Sequence, residues 1–153
     1  MKKNALFAAL LLPFALCLLP LKSLFSQDSG IKFHHNGEWE TAITEAKAAN
    51  KLIFMDAFTT WCGPCKMMTN QVFPNEQVSQ FYNANFVNVK MDMEKGEGLE
   101  LARKFDVRAY PTLLFIDPSG AEIVHRTAGF MAVEAFLGLG KTALDPSKRL
   151  SSM

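Results

Sequence analysis

The feature that most constrains this chain is a pair of cysteines placed soon after a short apolar strand. Residues 52–55 form a continuous apolar run that leads to Asp56, a pattern typical of a central strand covered on both faces. Cys62 and Cys65 follow, and residues 66–73 are good helix formers that end at a proline. The fold must therefore hold two sulfurs at the junction between a buried strand and a helix.

The rest of the chain alternates between strand and helix periodicity. The predicted strands are residues 31–34, 52–55, 86–93, 112–116 and 122–126. The predicted helices are residues 37–50, 66–73, 75–82, 99–105 and 131–139. This order predicts an α/β fold in which helices cover both faces of a mixed central sheet. A length of 153 residues fits one such domain.

The first 26 residues have the layout of a secretory signal peptide. Lys2 and Lys3 precede an almost unbroken apolar run from residue 5 to residue 21. Cleavage after Ser26 would leave a domain over residues 27–144 and a polar tail over residues 145–153, which we expect to be flexible. The segment predicts an exported, periplasmic protein.

Two alternatives for this segment stay open. It can remain as an uncleaved membrane anchor, or the chain can be a lipoprotein modified at Cys17. Pro13 and Pro20 would interrupt a membrane helix, and the bulky Leu16 is a poor residue beside a lipoprotein cleavage point. Both features favour cleavage and export.

Charge and cysteine count narrow the function classes. The formal charge is +1, and loss of residues 1–26 would remove three lysines and leave 13 basic against 15 acidic residues, a charge of −2. No basic surface for nucleic acid is then predicted. Processing also removes Cys17, and the remaining pair, Cys62 and Cys65, closes so small a loop that it stabilises little. Reactivity explains this pair better than a structural role.

The residues around the pair disfavour metal and haem chemistry. Zinc would need two more ligands, and His34, His35 and His125 have no ligand spacing with a further cysteine. Haem attachment would need a histidine directly after Cys65, where the chain has Lys66. We therefore expect no metal and no cofactor other than the redox-active cysteines.

Two motifs together identify a family. Trp61-Cys62-Gly63-Pro64-Cys65 follows a strand, and Tyr110-Pro111-Thr112 precedes one. Through these motifs, residues 31–139 resemble the thioredoxin superfamily. Trp39, the residues that lead from Asp56 to the cysteines, and segment 72–78 are more similar to exported thioredoxins and to the C-terminal domain of periplasmic thiol:disulfide interchange proteins. The resemblance implies a thioredoxin fold and thiol–disulfide exchange.

The position of the cysteines assigns their roles. A cysteine at the start of a helix meets unpaired N–H groups and the positive end of the helix dipole, which favour the thiolate. Cys62 is therefore predicted to attack from the exposed edge of the loop, and Cys65 to resolve the mixed disulfide from one turn inside. Gly63 and Pro64 keep the turn tight, so that the two sulfurs can bond.

The resemblance also implies a role for a buried acid and its partner. Asp56 stands where the family has a buried acid beneath the cysteines, and Lys90 matches its lysine partner. A carboxylate in an apolar strand has a raised pKa and could relay a proton to or from Cys65. The alternative, a hydrogen-bonded Asp56 at a strand end and a solvated Lys90, stays open.

A second group of residues is predicted to bind substrate. By resemblance, Pro111 is cis and forms one wall of a peptide groove with Tyr110 and Thr112, while Trp61 and Gly129 form its edges. Gly63 and Pro64 of the cysteine loop are also predicted to bind substrate. Simple packing remains an alternative for Trp61.

The chain departs from cytosolic thioredoxin at three positions. Phe58 replaces a second tryptophan, Asn70 replaces a helix-kinking proline, and Tyr110 replaces a smaller residue before the cis-proline. We expect these changes to bear on partner choice, groove shape and redox potential.

The function predicted from these features is reduction or exchange of disulfides in exported proteins. The Gly-Pro dipeptide between the cysteines accompanies reducing members of the family. A disulfide-forming oxidase and a non-catalytic peptide-binding or chaperone module are the alternatives. The expected partners are protein disulfide substrates and a thiol electron donor, and a membrane-bound redox partner is compatible with the sequence. We expect no binding of nucleic acid, and we expect a monomer.

Overall fold

The structure, a computed structural model, describes residues 29–148. The predicted signal peptide and Cys17 lie outside the described residues, as do residues 149–153. Within the described range, the first part of the predicted tail forms a 3-10 turn at Pro146–Lys148. In chain order the other elements are α1 (Trp39–Ala49), β1 (Leu52–Phe58), α2 (Gly63–Met67), a π-helical segment (Met68–Val72), α3 (Glu76–Asn85), β2 (Phe86–Asp92), α4 (Gly98–Lys104), β3 (Thr112–Ile116), β4 (Ile123–Ala128) and α5 (Val133–Leu144).

The strands form one mixed sheet in the order β2-β1-β3-β4. Strands β1 and β2 are parallel, and the β1–β3 and β3–β4 pairs are antiparallel. Strand β1 is therefore central, as its continuous apolar run predicts. The predicted α/β class, with a mixed sheet flanked by helices, is confirmed.

The strand predicted at residues 31–34 is reduced to a single bridge. His34 forms a parallel bridge with Val89 of β2, in which its N–H donates to the carbonyl oxygen of Asn88 at 2.9 Å and its carbonyl oxygen accepts from the N–H of Lys90 at 2.8 Å. The preceding N–H groups are used elsewhere, since Ile31 donates to the carbonyl oxygen of Phe73 and Lys32 donates to the side chain of Asn83. The pairing does not extend toward residue 31, because the N–H groups of Ile31 and Lys32 are bound to atoms outside the sheet.

Alternate residues of β1 pack into two cores on opposite faces of the sheet. One face holds Ile53 and Met55 against α1 and α4, with Trp39 and Leu101 among its members. The other face holds an aromatic cluster that includes Phe54, Phe73, Tyr82, Phe86, Phe115 and Phe136. Because side chains alternate along a strand, Asp56 points to the same face as Phe54.

The helix predicted for residues 66–73 has two parts. Helix α2 begins at Gly63 and gives way to the π-helical segment, where the N–H of Phe73 donates to the carbonyl oxygen of Met68 at 2.9 Å. The Thr69 hydroxyl donates to the carbonyl oxygen of Cys65 at 3.1 Å, a bond of the kind that bends helices. The helix that carries the cysteines therefore widens at Asn70 without a proline.

None of the helices between residues 29 and 148 is long and apolar enough to span a membrane.

Candidate functional site

The two cysteines are joined in a disulfide at the start of α2. The Sγ atoms of Cys62 and Cys65 lie 2.05 Å apart, and the Cα atoms lie 5.3 Å apart. Cys62 is the N-cap residue of α2, and its sulfur accepts a hydrogen bond from the N–H of Cys65 at 3.1 Å. Pro64 occupies the first turn, where its missing N–H leaves no helical bond unmade. Gly63 and Pro64 are exposed.

The prediction that Cys62 lies at an exposed edge is wrong for this disulfide form. Cys62 is 3% exposed and Cys65 is 2% exposed. The sulfur of Cys62 is bonded to that of Cys65 and lies over the first turn of α2, where it accepts a hydrogen bond from the N–H of Cys65. This orientation places the sulfur where a thiolate would meet a hydrogen-bond donor.

Asp56 and Lys90 form an ion pair on the aromatic face of the sheet. They are partners in the parallel β1–β2 register, so their side chains project to the same face. Lys90 Nζ lies 2.5 Å from Asp56 Oδ2, and Asp56 is fully buried. Burial raises the pKa of Asp56, and the charge and hydrogen bond of Lys90 lower it by less. Asp56 Oδ1 has no hydrogen-bond partner among the described residues.

The Lys90 ammonium lies among aromatic rings and borders one recess of the surface. It lies 4.3 Å from the ring centre of Phe58 and 5.2 Å from that of Phe73, within cation–π range. A recess of about 250 Å³ beside it is bordered by Cys65, Thr59 and Thr69 as well as by Lys90. Cys65 and Lys90 therefore face one common space.

The loop before β3 carries a cis peptide bond between Tyr110 and Pro111. The N–H of Gly129, which has a φ of 95°, donates to the carbonyl oxygen of Pro111 at 2.8 Å. A positive φ suits glycine, so this residue can turn its N–H toward the loop. Thr112 is the β3 partner of Ala57, which places the loop at the sheet edge where β1 continues toward the cysteines.

Thr112 does not fit its predicted place in the groove wall. It is buried, and its hydroxyl donates to the carbonyl oxygen of Ala109 at 2.7 Å. Its side chain therefore holds the turn before β3, and the half-buried Tyr110 is the part of this motif that a substrate could touch.

Trp61 is exposed but held in one orientation. The residue is 64% exposed, its indole N–H lies 3.0 Å from both carboxylate oxygens of Glu94, and its ring meets that of Tyr110 edge-on at 5.9 Å. Glu94 was not among the residues that the sequence singled out. It lies 33 positions from Trp61 in a loop without periodicity, and no local pattern signals such a contact.

The cis-proline loop makes no backbone hydrogen bond to the cysteine loop among the described residues. Pro111 and Gly129 are joined to each other by a backbone bond and not to a cysteine.

Within residues 29–148, no group of three or more histidine, cysteine, aspartate or glutamate side chains is placed to hold a metal ion.

Comparison with known proteins identifies the family. The sequence model of the thioredoxin-like domain matches residues 39–144, a range that contains the disulfide, the ion pair and the cis-proline loop. A solved structure of a candidate disulphide isomerase from Bacteroides thetaiotaomicron is 45% identical, with a TM-score of 0.67, and covers 79% of this chain and 98% of that one.

Two relatives by sequence differ in the share of their length that the chain covers. Thioredoxin H-type of Oryza sativa subsp. indica is 39% identical over 92 residues, which are 60% of this chain and 70% of the relative. The thiol:disulfide interchange protein DsbD of Pseudoalteromonas atlantica is 27% identical over 146 residues, but the chain spans only 24% of that relative's length. The fold, the Cys62–Cys65 disulfide and the match over residues 39–144 together show that this chain belongs to the thioredoxin-like family of thiol:disulfide oxidoreductases.

Proposed function

We propose that the protein reduces or exchanges disulfides of exported proteins, with Cys62 as nucleophile and Cys65 as resolving thiol. The observation that carries the proposal is the disulfide at the start of α2, where the sulfur of Cys62 accepts the N–H of Cys65 at 3.1 Å. A helix-start donor at the sulfur stabilises negative charge there, and the thiolate is the attacking species. Reduced Cys62 is thus the more reactive of the two thiols.

The proposed reaction transfers two electrons in two displacements. The Cys62 thiolate attacks one sulfur of a substrate disulfide, forms a mixed disulfide and releases the first substrate thiolate. The Cys65 thiolate then attacks the sulfur of Cys62, forms the Cys62–Cys65 disulfide and releases the second substrate thiolate. An external thiol donor must reduce the disulfide before the next cycle.

Asp56 is proposed to accept the proton of Cys65 during the second displacement. It is a fully buried carboxylate whose pKa is raised by burial, so it can hold a proton near neutral pH more readily than a solvated aspartate. Lys90 keeps a positive charge beside the carboxylate. This pairing moderates the cost of burying a charge in the aromatic core.

Substrate is proposed to bind against the ring pair of Trp61 and Tyr110, where the cis-proline loop positions Tyr110. Trp61 and Tyr110 form an aromatic corner, while Pro111 and Gly129 are fixed to each other by a backbone bond. Aromatic side chains offer contact area at low entropic cost and suit peptides of varied sequence.

The test is reduction of insulin by the full chain in its reduced form, followed by precipitation of the free B chain. We expect Cys62→Ser to abolish turnover and Cys65→Ser to stop after a mixed disulfide has formed. Cys17→Ser is the matched control, because it removes a thiol outside the described domain, and it should leave the rate unchanged.

Other outcomes of this experiment would contradict the proposal. Turnover retained by Cys62→Ser would exclude the assigned nucleophile. Faster oxidation of a reduced substrate by the disulfide form than reduction by the dithiol form would favour a disulfide-forming oxidase. Peptide binding without turnover, unchanged after replacement of both cysteines, would favour a binding module.

Export is proposed from the layout of residues 1–26 and supported by the similarity to an interchange protein. The intact mass of the protein recovered from an extracytoplasmic fraction should correspond to a chain that begins near Gln27. A cytoplasmic protein that retains Met1 would contradict this proposal.

A further inference from the structure

Thr69 links the buried ion pair to the helix that carries the cysteines. Its hydroxyl accepts a hydrogen bond from Lys90 Nζ at 3.0 Å and donates one to the carbonyl oxygen of Cys65 at 3.1 Å. Lys90 Nζ also donates to Asp56 Oδ2 at 2.5 Å. A continuous chain of three contacts therefore runs from the buried carboxylate to the backbone of the second cysteine.

We propose that Thr69 is a positioning residue for the resolving step, because it holds the Lys90 ammonium against Asp56 while Cys65 attacks the mixed disulfide. The inference rests on the proposed function above and names a residue that this function alone does not require. Thr69 acts through Lys90 and touches no reacting sulfur in the contacts described.

The surroundings of Lys90 explain why one hydroxyl matters. An ammonium has three N–H donors, and the aromatic rings beside it supply no oxygen acceptor. Among the described residues, the acceptors of Lys90 Nζ are Asp56 Oδ2 at the buried end and Thr69 Oγ1 toward the surface. The lysine side chain is 13% exposed, so without the hydroxyl its free donors would turn toward water at the recess. The charge would then hold Asp56 less firmly.

The charged groups around Asp56 make this effect specific. Lys90 of β2 is the charge that acts on the carboxylate, and the β3 residue in register with it, Leu113, is apolar. Helix α2 contributes Cys65 and the exposed Lys66, and its N-cap residue is Cys62. Tyr82 of α3 lies on the same face and stays neutral, because burial raises its pKa. Lys90 is thus the charged group that most strongly affects the proton affinity of Asp56.

The consequence falls on the second displacement. Cys65 loses its proton to the Asp56 carboxylate, its thiolate bonds to the sulfur of Cys62, and the substrate thiolate leaves with the electron pair of the broken bond. Burial already raises the pKa of Asp56 and Lys90 opposes this. A loosened Lys90 raises that pKa further, so less carboxylate is present at neutral pH to accept the proton.

Rapid mixing with 5,5′-dithiobis(2-nitrobenzoate) in excess separates the two steps. Reduced full-length protein in a Cys17→Ser background, which removes the third thiol of the chain, releases a first thionitrobenzoate when Cys62 attacks, at a rate proportional to reagent concentration. It releases a second when Cys65 resolves, at a rate independent of that concentration. We expect Thr69→Val to slow the second phase about 3- to 10-fold at pH 7, well short of the roughly 100-fold or more that a general acid–base group contributes. The midpoint of its pH profile should move upward while the first phase is unchanged.

Two variants distinguish positioning from packing. Thr69→Ser restores a hydroxyl and should restore the second phase and its pH midpoint. Thr44→Val is the matched control, since the Thr44 hydroxyl makes the same kind of bond, to the carbonyl oxygen of Glu40 at 2.9 Å, on an exposed helix face without a lysine partner. Thr69 is itself exposed, and Thr69→Ala, with its higher helix propensity, gives a second variant that lacks the hydroxyl.

The inference is overturned if Thr69→Val and Thr69→Ala keep the wild-type second phase and pH midpoint. It is also overturned if Thr69→Ser is as slow as Thr69→Val, or if Thr44→Val slows the second phase equally. A wild-type protein that shows no first phase would instead overturn the proposed function.

Discussion

The contact between Glu94 and Trp61 yields a prediction about substrate affinity. Glu94→Met removes both oxygens that bind the indole N–H at 3.0 Å and keeps a side chain of similar length. Trp61 is 64% exposed, so little packing other than the edge of Tyr110 would hold its ring. We expect the indole to sample several rotamers in this variant.

The size of the effect follows from the entropy of the freed side chain. Ordering one such side chain on binding costs about 0.5–1.5 kcal/mol. That cost corresponds to about 2- to 12-fold weaker substrate binding. The sulfur chemistry lies at α2 and is not touched by Glu94, so the loss should appear in KM and leave kcat unchanged.

Steady-state reduction of a self-quenched fluorescent peptide disulfide, with an excess of thiol donor, measures both constants. Glu94→Gln is the matched control, because it retains one acceptor oxygen at the same reach, and its KM should stay within about 2-fold of wild type. Trp61 anisotropy in a Trp39→Phe background, which leaves Trp61 as the remaining tryptophan, should fall in Glu94→Met.

Two results would refute the reasoning. A fall in kcat with constant KM would place Glu94 in the chemistry and not in orientation of the ring. An unchanged KM together with a lower Trp61 anisotropy would show that the orientation of the indole does not matter for binding.

Two further predictions concern the buried core of the oxidised protein. Because burial raises the pKa of Asp56 above its ordinary 3.8, the folded protein keeps a proton that the unfolded chain has lost, so the free energy of unfolding falls as pH rises from about 4 through the folded-state pKa. The Asn side chain of Asp56→Asn does not titrate, so the free energy of unfolding of this variant should decrease less between pH 5 and pH 8 than that of wild type, as measured by urea titration at both pH values. An equally large decrease in the variant would contradict this prediction. Tyr82→Phe removes a buried hydroxyl that donates to the carbonyl oxygen of Phe136 at 2.8 Å and should lower the free energy of unfolding by about 0.5–1.5 kcal/mol without changing insulin reduction. A stability equal to that of wild type would contradict this second prediction.

The burial of Cys62 shows how a correct local prediction can miss the three-dimensional setting. Its place at a helix start follows from the strand, the Gly-Pro dipeptide and the helix formers after it, all within a few residues. Its 3% exposure depends on where the sulfur turns and on what the rest of the chain packs around it. Burial is a property of the assembled fold, so no pattern along the sequence reports it.

The ion pair shows the same division in another form. The apolar run of β1 and the alternation in residues 86–93 each predict a strand, but neither predicts which residues stand side by side. The parallel register that pairs Asp56 with Lys90 exists only once β1 and β2 are aligned. Resemblance to the thioredoxin superfamily suggested the pair, and the register supplies its physical reason.

The strand, the cysteine loop, the helix after it and the α/β class can be predicted from the sequence, because short-range periodicity and turn chemistry depend on neighbouring residues. The family is predicted from two motifs that resemble those of the thioredoxin superfamily. The three-dimensional contacts are needed to see that Glu94 holds Trp61, that Thr112 is buried and that Thr69 joins Lys90 to the Cys65 turn. These contacts join residues that are far apart in the chain or depend on how a helix widens. Their geometry is therefore set by strand register and packing, not by local propensity.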